Sequence, residues 1–83
     1  MATLLEQDTS TGGIEYRIWQ KANGGCVIEK WAVNYSRGRN IGRWVYVVPA
    51  RTPVMESERM RREGMEYNAA MTLYCKRIKS KAR

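Results

Sequence analysis

The chain has 83 residues, 15 Lys and Arg against 8 Asp and Glu, a net charge of +7 and no His. At that length folding buries one modest core, and 43% apolar with 28% charged residues is the composition of a globular chain rather than a disordered one. Without imidazole there is no Ser–His or Cys–His pair and no His metal ligand, so the expectation is a non-catalytic basic binding module with no cofactor and no metal.

The first eight residues, Met1 to Asp8, contain no basic segment followed by an apolar run, so no export signal is expected. No stretch approaches the 18 apolar residues of a membrane span. The expected setting is cytoplasmic, with no membrane partner. Cys26 and Cys75 have neither zinc-site nor C-x-x-C spacing and read as two buried thiols.

Residues 1–13 end in Asp8-Thr9-Ser10-Thr11-Gly12-Gly13 and read as a flexible N-terminal arm. Residues 14–79 read as a single α+β domain of βββα order: a three-stranded antiparallel meander followed by one long C-terminal helix packed on one sheet face. Residues 80–83 form a basic tail. The first strand-like run, Ile14 to Lys21, alternates strictly, with Ile14, Tyr16 and Ile18 on one face and Glu15, Arg17, Trp19 and Lys21 on the other. Asn23-Gly24 is the favoured pair of a two-residue hairpin turn. It joins this run to a second, Cys26 to Tyr35, rich in β-branched and aromatic residues. That turn pairs Tyr16 with Trp31, Ile18 with Glu29, Arg17 with Lys30 and Trp19 with Ile28. A three-residue loop using Gly25 reverses the faces of the second strand. Ser36 to Gly42 reads as a longer basic connection, and Arg43 to Val48 as the third run, stopped by Pro49.

Thr52 suits an N-cap and Pro53 the first helical position. Met60, Gly64, Tyr67, Met71, Tyr74 and Ile78 recur at helical spacing and form one apolar stripe. Gly64 marks either a close crossing over the sheet or a break. An unbroken helix from Pro53 to Lys79 is about 40 Å long, so it either overhangs the sheet or bends. Its overhang offers a route to a homodimer, since a 4-3 repeat suits a helix pair.

The positive charge is unevenly distributed. Residues 17–51 hold seven bases and a single acid, Glu29, and residues 76–83 hold five bases and no acid. Such concentration suits a polyanion or an acidic protein face. Three groups are candidate contacts. Arg17, Trp19, Lys21 and Lys30 are expected on the open sheet face, as cations around an exposed indole. Arg37, Arg39 and Arg43 occupy the basic connection, where Arg reaches phosphate bidentately and Gly permits close approach. Lys76, Arg77 and Lys79 lead into the basic tail. Trp31, Trp44 and Tyr46 read most simply as core or sheet packing, although a set of Trp and Tyr rings also suits an interface hot spot.

A strand meander followed by a helix, with a basic sheet face, resembles in topology and charge the integrase arm-binding domains, which place a three-stranded sheet in the DNA major groove. The resemblance implies DNA binding through the open face and the basic loop. The short, aromatic-rich chain also resembles the accessory proteins of phages and mobile elements. That likeness implies the alternative, binding and inhibition of an acidic or nucleic-acid-binding host protein or defence complex.

Overall fold

The computed structural model describes residues 2–79. Its elements are strands β1 (Thr3–Thr9), β2 (Glu15–Gln20), β3 (Cys26–Ser36) and β4 (Arg39–Val47), then helices α1 (Val54–Glu63) and α2 (Tyr67–Lys79). The four strands form one antiparallel meander in the order β1-β2-β3-β4. The α+β class and the antiparallel meander agree with expectation. The strand number, the hairpin register and the helix differ.

The expected arm is the edge strand β1. Its leucine doublet concealed it, because two adjacent apolar residues break strand alternation. A bulge between Leu4 and Glu6 absorbs the extra residue. Leu4 then lies on the same side as Trp19, while Leu5 packs on the core, as one inserted residue permits.

The β2–β3 register is set by a three-residue loop. Gly24 N–H donates to Lys21 O, Lys21 N–H donates to Gly25 O, and Gly24 has φ 89. A turn closed by a residue in the left-handed region has this form, and the Asn23 carboxamide fixes it by accepting from Gly25 N–H. Tyr16 therefore faces Lys30, Arg17 faces Glu29, Ile18 faces Ile28 and Trp19 faces Val27. Every side chain of β3 sits on the face opposite to the one expected from a two-residue turn.

The connection from Ser36 to Gly42 is mostly strand. Ser36 pairs with Arg39 around a two-residue turn in which Arg37 has φ 50 and Gly38 φ 82, the positive-φ pair of a tight hairpin. Because β2 pairs only with Cys26–Lys30, the rest of the β3–β4 hairpin leaves the sheet as a two-stranded ribbon. Six residues of β3, Trp31 to Ser36, carry it about 20 Å outward, along a molecule whose extents are 40 × 28 × 25 Å.

The long helix is two helices. Gly64, with φ 87, ends α1, and Met65 forms a bridge with Cys26 through both backbone hydrogen bonds. A Cβ on Gly64 would lie 2.6 Å from the Gly25 carbonyl carbon, and one on Gly25 would lie 2.0 Å from Glu63 O. Glycine at both positions is what lets the two backbones meet. With the helix broken at Gly64, no single helix runs from Pro53 to Lys79. Pro53, not Thr52, precedes the first helical residue. The Thr52 hydroxyl is diverted to Pro49 O.

Tyr16, Ile18, Cys26, Ile28 and Val47 from the sheet meet Met65, Ala70 and Tyr74 in the core. Of the expected stripe, Met71, Tyr74 and Ile78 pack there from α2 and Met60 from α1, while Tyr67 is exposed. Cys26 is buried and Cys75 exposed, both free, so only one of the two thiols expected in the interior is there.

Candidate nucleic-acid interface

The pleat divides the ribbon into two chemically distinct faces. Cross-strand partners share a face, so Ser36/Arg39, Asn34/Ile41, Ala32/Arg43 and Lys30/Val45 line the side on which the helices pack. Tyr35/Asn40, Val33/Gly42, Trp31/Trp44 and Glu29/Tyr46 line the other. Arg61 of α1 reaches the base of the ribbon, where it lines a cavity with Arg43, Trp44, Val45 and Tyr46, and Asn34, Ser36, Arg39, Ile41 and Arg43 are exposed.

The first face is cationic. Lys30, Arg43 and Arg39 follow one another toward the tip, where Arg37 sits in the turn. No acid occurs between Lys30 and Met55. The ion pairs among the described residues join Arg17 to Glu29, Arg59 to Glu56 and Glu63, and Arg62 to Glu63. The four ribbon cations take part in none of them.

Helix α2 brings further charge to this end. It starts beside Cys26, through the Met65 bridge, and finishes where Thr11 N–H donates to Ile78 O in the β1–β2 turn. Its last turn, with Lys76, Arg77 and Lys79, therefore lies at the end of the sheet from which the ribbon departs and on the ribbon's cationic side. Basic residues there also suit the negative end of the helix dipole. Residues 80–83, the expected basic tail, lie outside the described residues.

The second face is aromatic. Arg17 is placed over the Trp44 ring, 3.8 Å from its centroid, and 5.1 Å from that of Trp19. Its Nε donates to Glu29 Oε1 at 2.6 Å, and Trp19 Nε1 donates to the same oxygen at 2.8 Å. Trp31 meets Trp44 edge-to-face at 5.2 Å. The Trp31 indole fills the space above Gly42, where a Cβ would fall 2.2 Å from its Cζ2 atom. Trp31, Val33, Tyr35 and Tyr46 remain well exposed, Tyr35 at 75%.

The expected open-face group is thereby taken apart. Arg17 and Trp19 are together on the open face, but Glu29 neutralises the guanidinium, so Arg17 is a rigid part of an aromatic stack rather than a free phosphate ligand. Lys30 stands on the opposite side, beside Tyr16, because the three-residue loop moved it there. Lys21 is occupied elsewhere: its Nζ donates to Arg61 O at 2.8 Å and to Arg62 O at 2.5 Å. Asn23 Nδ2 adds a bond to Glu63 O, so the β2–β3 loop satisfies carbonyls that the end of α1 leaves unpaired.

Arg37, Arg39 and Arg43 are brought onto one projecting element. Sequence reasoning missed Trp31 and Tyr46 as exposed residues and Glu29 as the partner of Arg17. The signal was the odd-numbered alternation Val27, Glu29, Trp31, Val33, Tyr35, readable once the loop length is known. No family model, curated protein or solved structure matches the chain.

Proposed function

We propose that the protein is a non-catalytic nucleic-acid-binding module whose contact element is the β3–β4 ribbon. One observation carries this reading: Lys30, Arg43 and Arg39 align on one ribbon face, with Arg37 at the tip and no acid on that face. Unpaired cations on a projecting strand pair suit phosphate, which two-pronged guanidinium groups bind well. Lys76, Arg77 and Lys79 extend the basic surface at the ribbon's base.

The test is affinity against salt, by fluorescence anisotropy with a labelled 20-mer. Log K is expected to fall linearly with log salt, by roughly 0.7 to 0.9 per phosphate neutralised. Arg39→Ala and Arg43→Ala should each flatten that slope by just under one. Binding independent of salt, or a slope unchanged in both variants, would overturn the proposal.

A second reading, inhibition of a host protein, draws on the aromatic face, where Arg17 is locked between Trp19 and Trp44. Preordered Trp, Tyr and Arg side chains are typical of interface hot spots. A single stoichiometric protein partner that survives nuclease treatment would favour it.

A further inference from the structure

We infer that the nucleic acid this ribbon takes is an unpaired strand, whose phosphates meet the cationic face while its bases stack on the aromatic one. The inference rests on the nucleic-acid reading and specifies its ligand. It follows from the asymmetry of the ribbon.

A duplex groove is walled by two phosphate backbones. A two-stranded ribbon is narrow enough for the major groove, but this one has cations on a single face: Lys30, Arg43 and Arg39 on one side, Tyr35, Trp31, Trp44 and Tyr46 on the other. Inserted in a groove, it would present rings to one of the two anionic walls. The faces of paired bases are stacked within the helix and give those rings nothing to cover. A single strand carries one row of phosphates and one row of bases with free faces, and so offers one partner for each side of the ribbon.

The exposed rings sit at intervals suited to this. From base to tip the aromatic face presents Tyr46, then the Trp31–Trp44 pair two residues further out, then Tyr35 four residues beyond that. At the rise of a strand the intervals are about 7 Å and about 14 Å. The central pair is held in place: Arg17 covers Trp44, and Gly42 seats Trp31. Tyr35 and Tyr46 make no side-chain hydrogen bond among the described residues, and both rings are exposed. Among the described residues the outer edge of β4 has no strand partner, and Arg61 of α1 stands near it at Arg43 to Tyr46. A strand following that edge reaches Arg39 and Arg43 on one side and Tyr46 on the other.

The experiment compares three labelled probes at one salt concentration: a 20-mer of dT, a 20-mer of U and a mixed-sequence 20-bp DNA duplex. The wild type should bind at least one single strand tenfold or more tighter than the duplex. Tyr35→Ala and Tyr46→Ala should each weaken single-strand binding at least fivefold and leave duplex binding unchanged. Tyr46→Phe should bind as the wild type. Arg39→Ala should weaken all three probes. Thermal melting of each variant reports folding, and Tyr35, fully on the surface, provides a variant that tests stacking without disturbing the core. Preference for the duplex, or single-strand binding unaffected in both Ala variants, overturns the single-strand inference and leaves the nucleic-acid reading standing. Absence of binding to all three probes overturns both.

Discussion

Tyr74 is almost completely buried, and its hydroxyl donates to Asp8 Oδ2 across the β1–α2 contact. Burial raises its pKa first, and the nearby charge of Asp8 raises it further. The folded phenol therefore holds its proton more tightly than the unfolded one. Its contribution to stability is complete below about pH 10, the ordinary tyrosine value, and is lost as pH rises above that. One such group costs at most about 1.4 kcal/mol per pH unit in that range. Tyr74→Phe should flatten the fall in urea-unfolding stability between about pH 9.5 and 11; identical slopes in the two proteins would show that Tyr74 carries none of it. The ring itself was legible in the helical stripe, but its partner was not, because the leucine doublet made β1 read as an arm. Gly42 is a second residue whose meaning appears only in three dimensions. It reads as loop in the sequence, yet it is the strand position on which Trp31 lies. Gly42→Ala forces the indole off its seat at a cost of about 1–3 kcal/mol. The expected outcome is a melting temperature lower by about 5 °C or more with red-shifted tryptophan emission, and an unshifted spectrum would show that the indole is not held there.

The element that decides the layout is the β2–β3 loop, because one extra residue in it reverses β3 and also closes the end of α1. The Asn-Gly pair was legible as a turn. Its length was not, since Gly25 next to Gly24 permits either register, and only the meeting of Gly25 with Gly64 selects one. Helical periodicity likewise continues across Gly64, so the pattern left a close crossing and a break both open, and Gly64 is both at once: the end of α1 and the point where two backbones meet. Two substitutions separate the roles of this junction. Lys21→Met removes the donor to Arg61 O and Arg62 O and should cost about 1 kcal/mol. Gly64→Ala should cost more, since it adds positive-φ strain of about 1–3 kcal/mol at φ 87, ψ 173 to a collision with the Gly25 backbone. Chemical denaturation of both variants checks the order, and a milder effect for Gly64→Ala would contradict the close approach. The ribbon's own turn carries the opposite kind of strain. Arg37 occupies a positive-φ position that Asn tolerates better. Arg37→Asn should raise the melting temperature slightly while weakening nucleic-acid binding, as expected where strain is kept for function; equal affinity would remove Arg37 from the contact surface.

At the scale of the molecule the chain divides into a body, where α1 and α2 pack on the sheet, and a ribbon whose outer part, residues 33–41, is exposed. The uneven charge was legible from the sequence, because the acid-free stretch from Lys30 to Met55 needs no structure to be seen. Which face those charges occupy was not legible, because it depends on a loop length and on a hairpin tip that looked like a long connection. The ribbon is secured to the body by backbone pairing and by one side-chain clamp. Arg17 in β2 reaches over Trp44 in β4 and pairs with Glu29 between them, so a single guanidinium spans three strands. An element with unpaired edges and exposed side chains opens locally at a lower free energy than the core. The backbone amides of Trp31 to Trp44 are therefore expected to exchange with solvent faster than those of Ile18 and Ile28, which open only with the whole domain. Arg17→Met keeps the aliphatic stem over the rings but removes the charge that Glu29 and the indoles hold. It should accelerate exchange in the ribbon several-fold while slowing nothing in the body. Saturating single-stranded oligonucleotide should restore slow exchange to the ribbon by binding the closed form. If the ribbon and core amides exchange at one common rate with and without Arg17, the ribbon is no separate unit, and the clamp has no part in keeping its aromatic face ordered for a ligand.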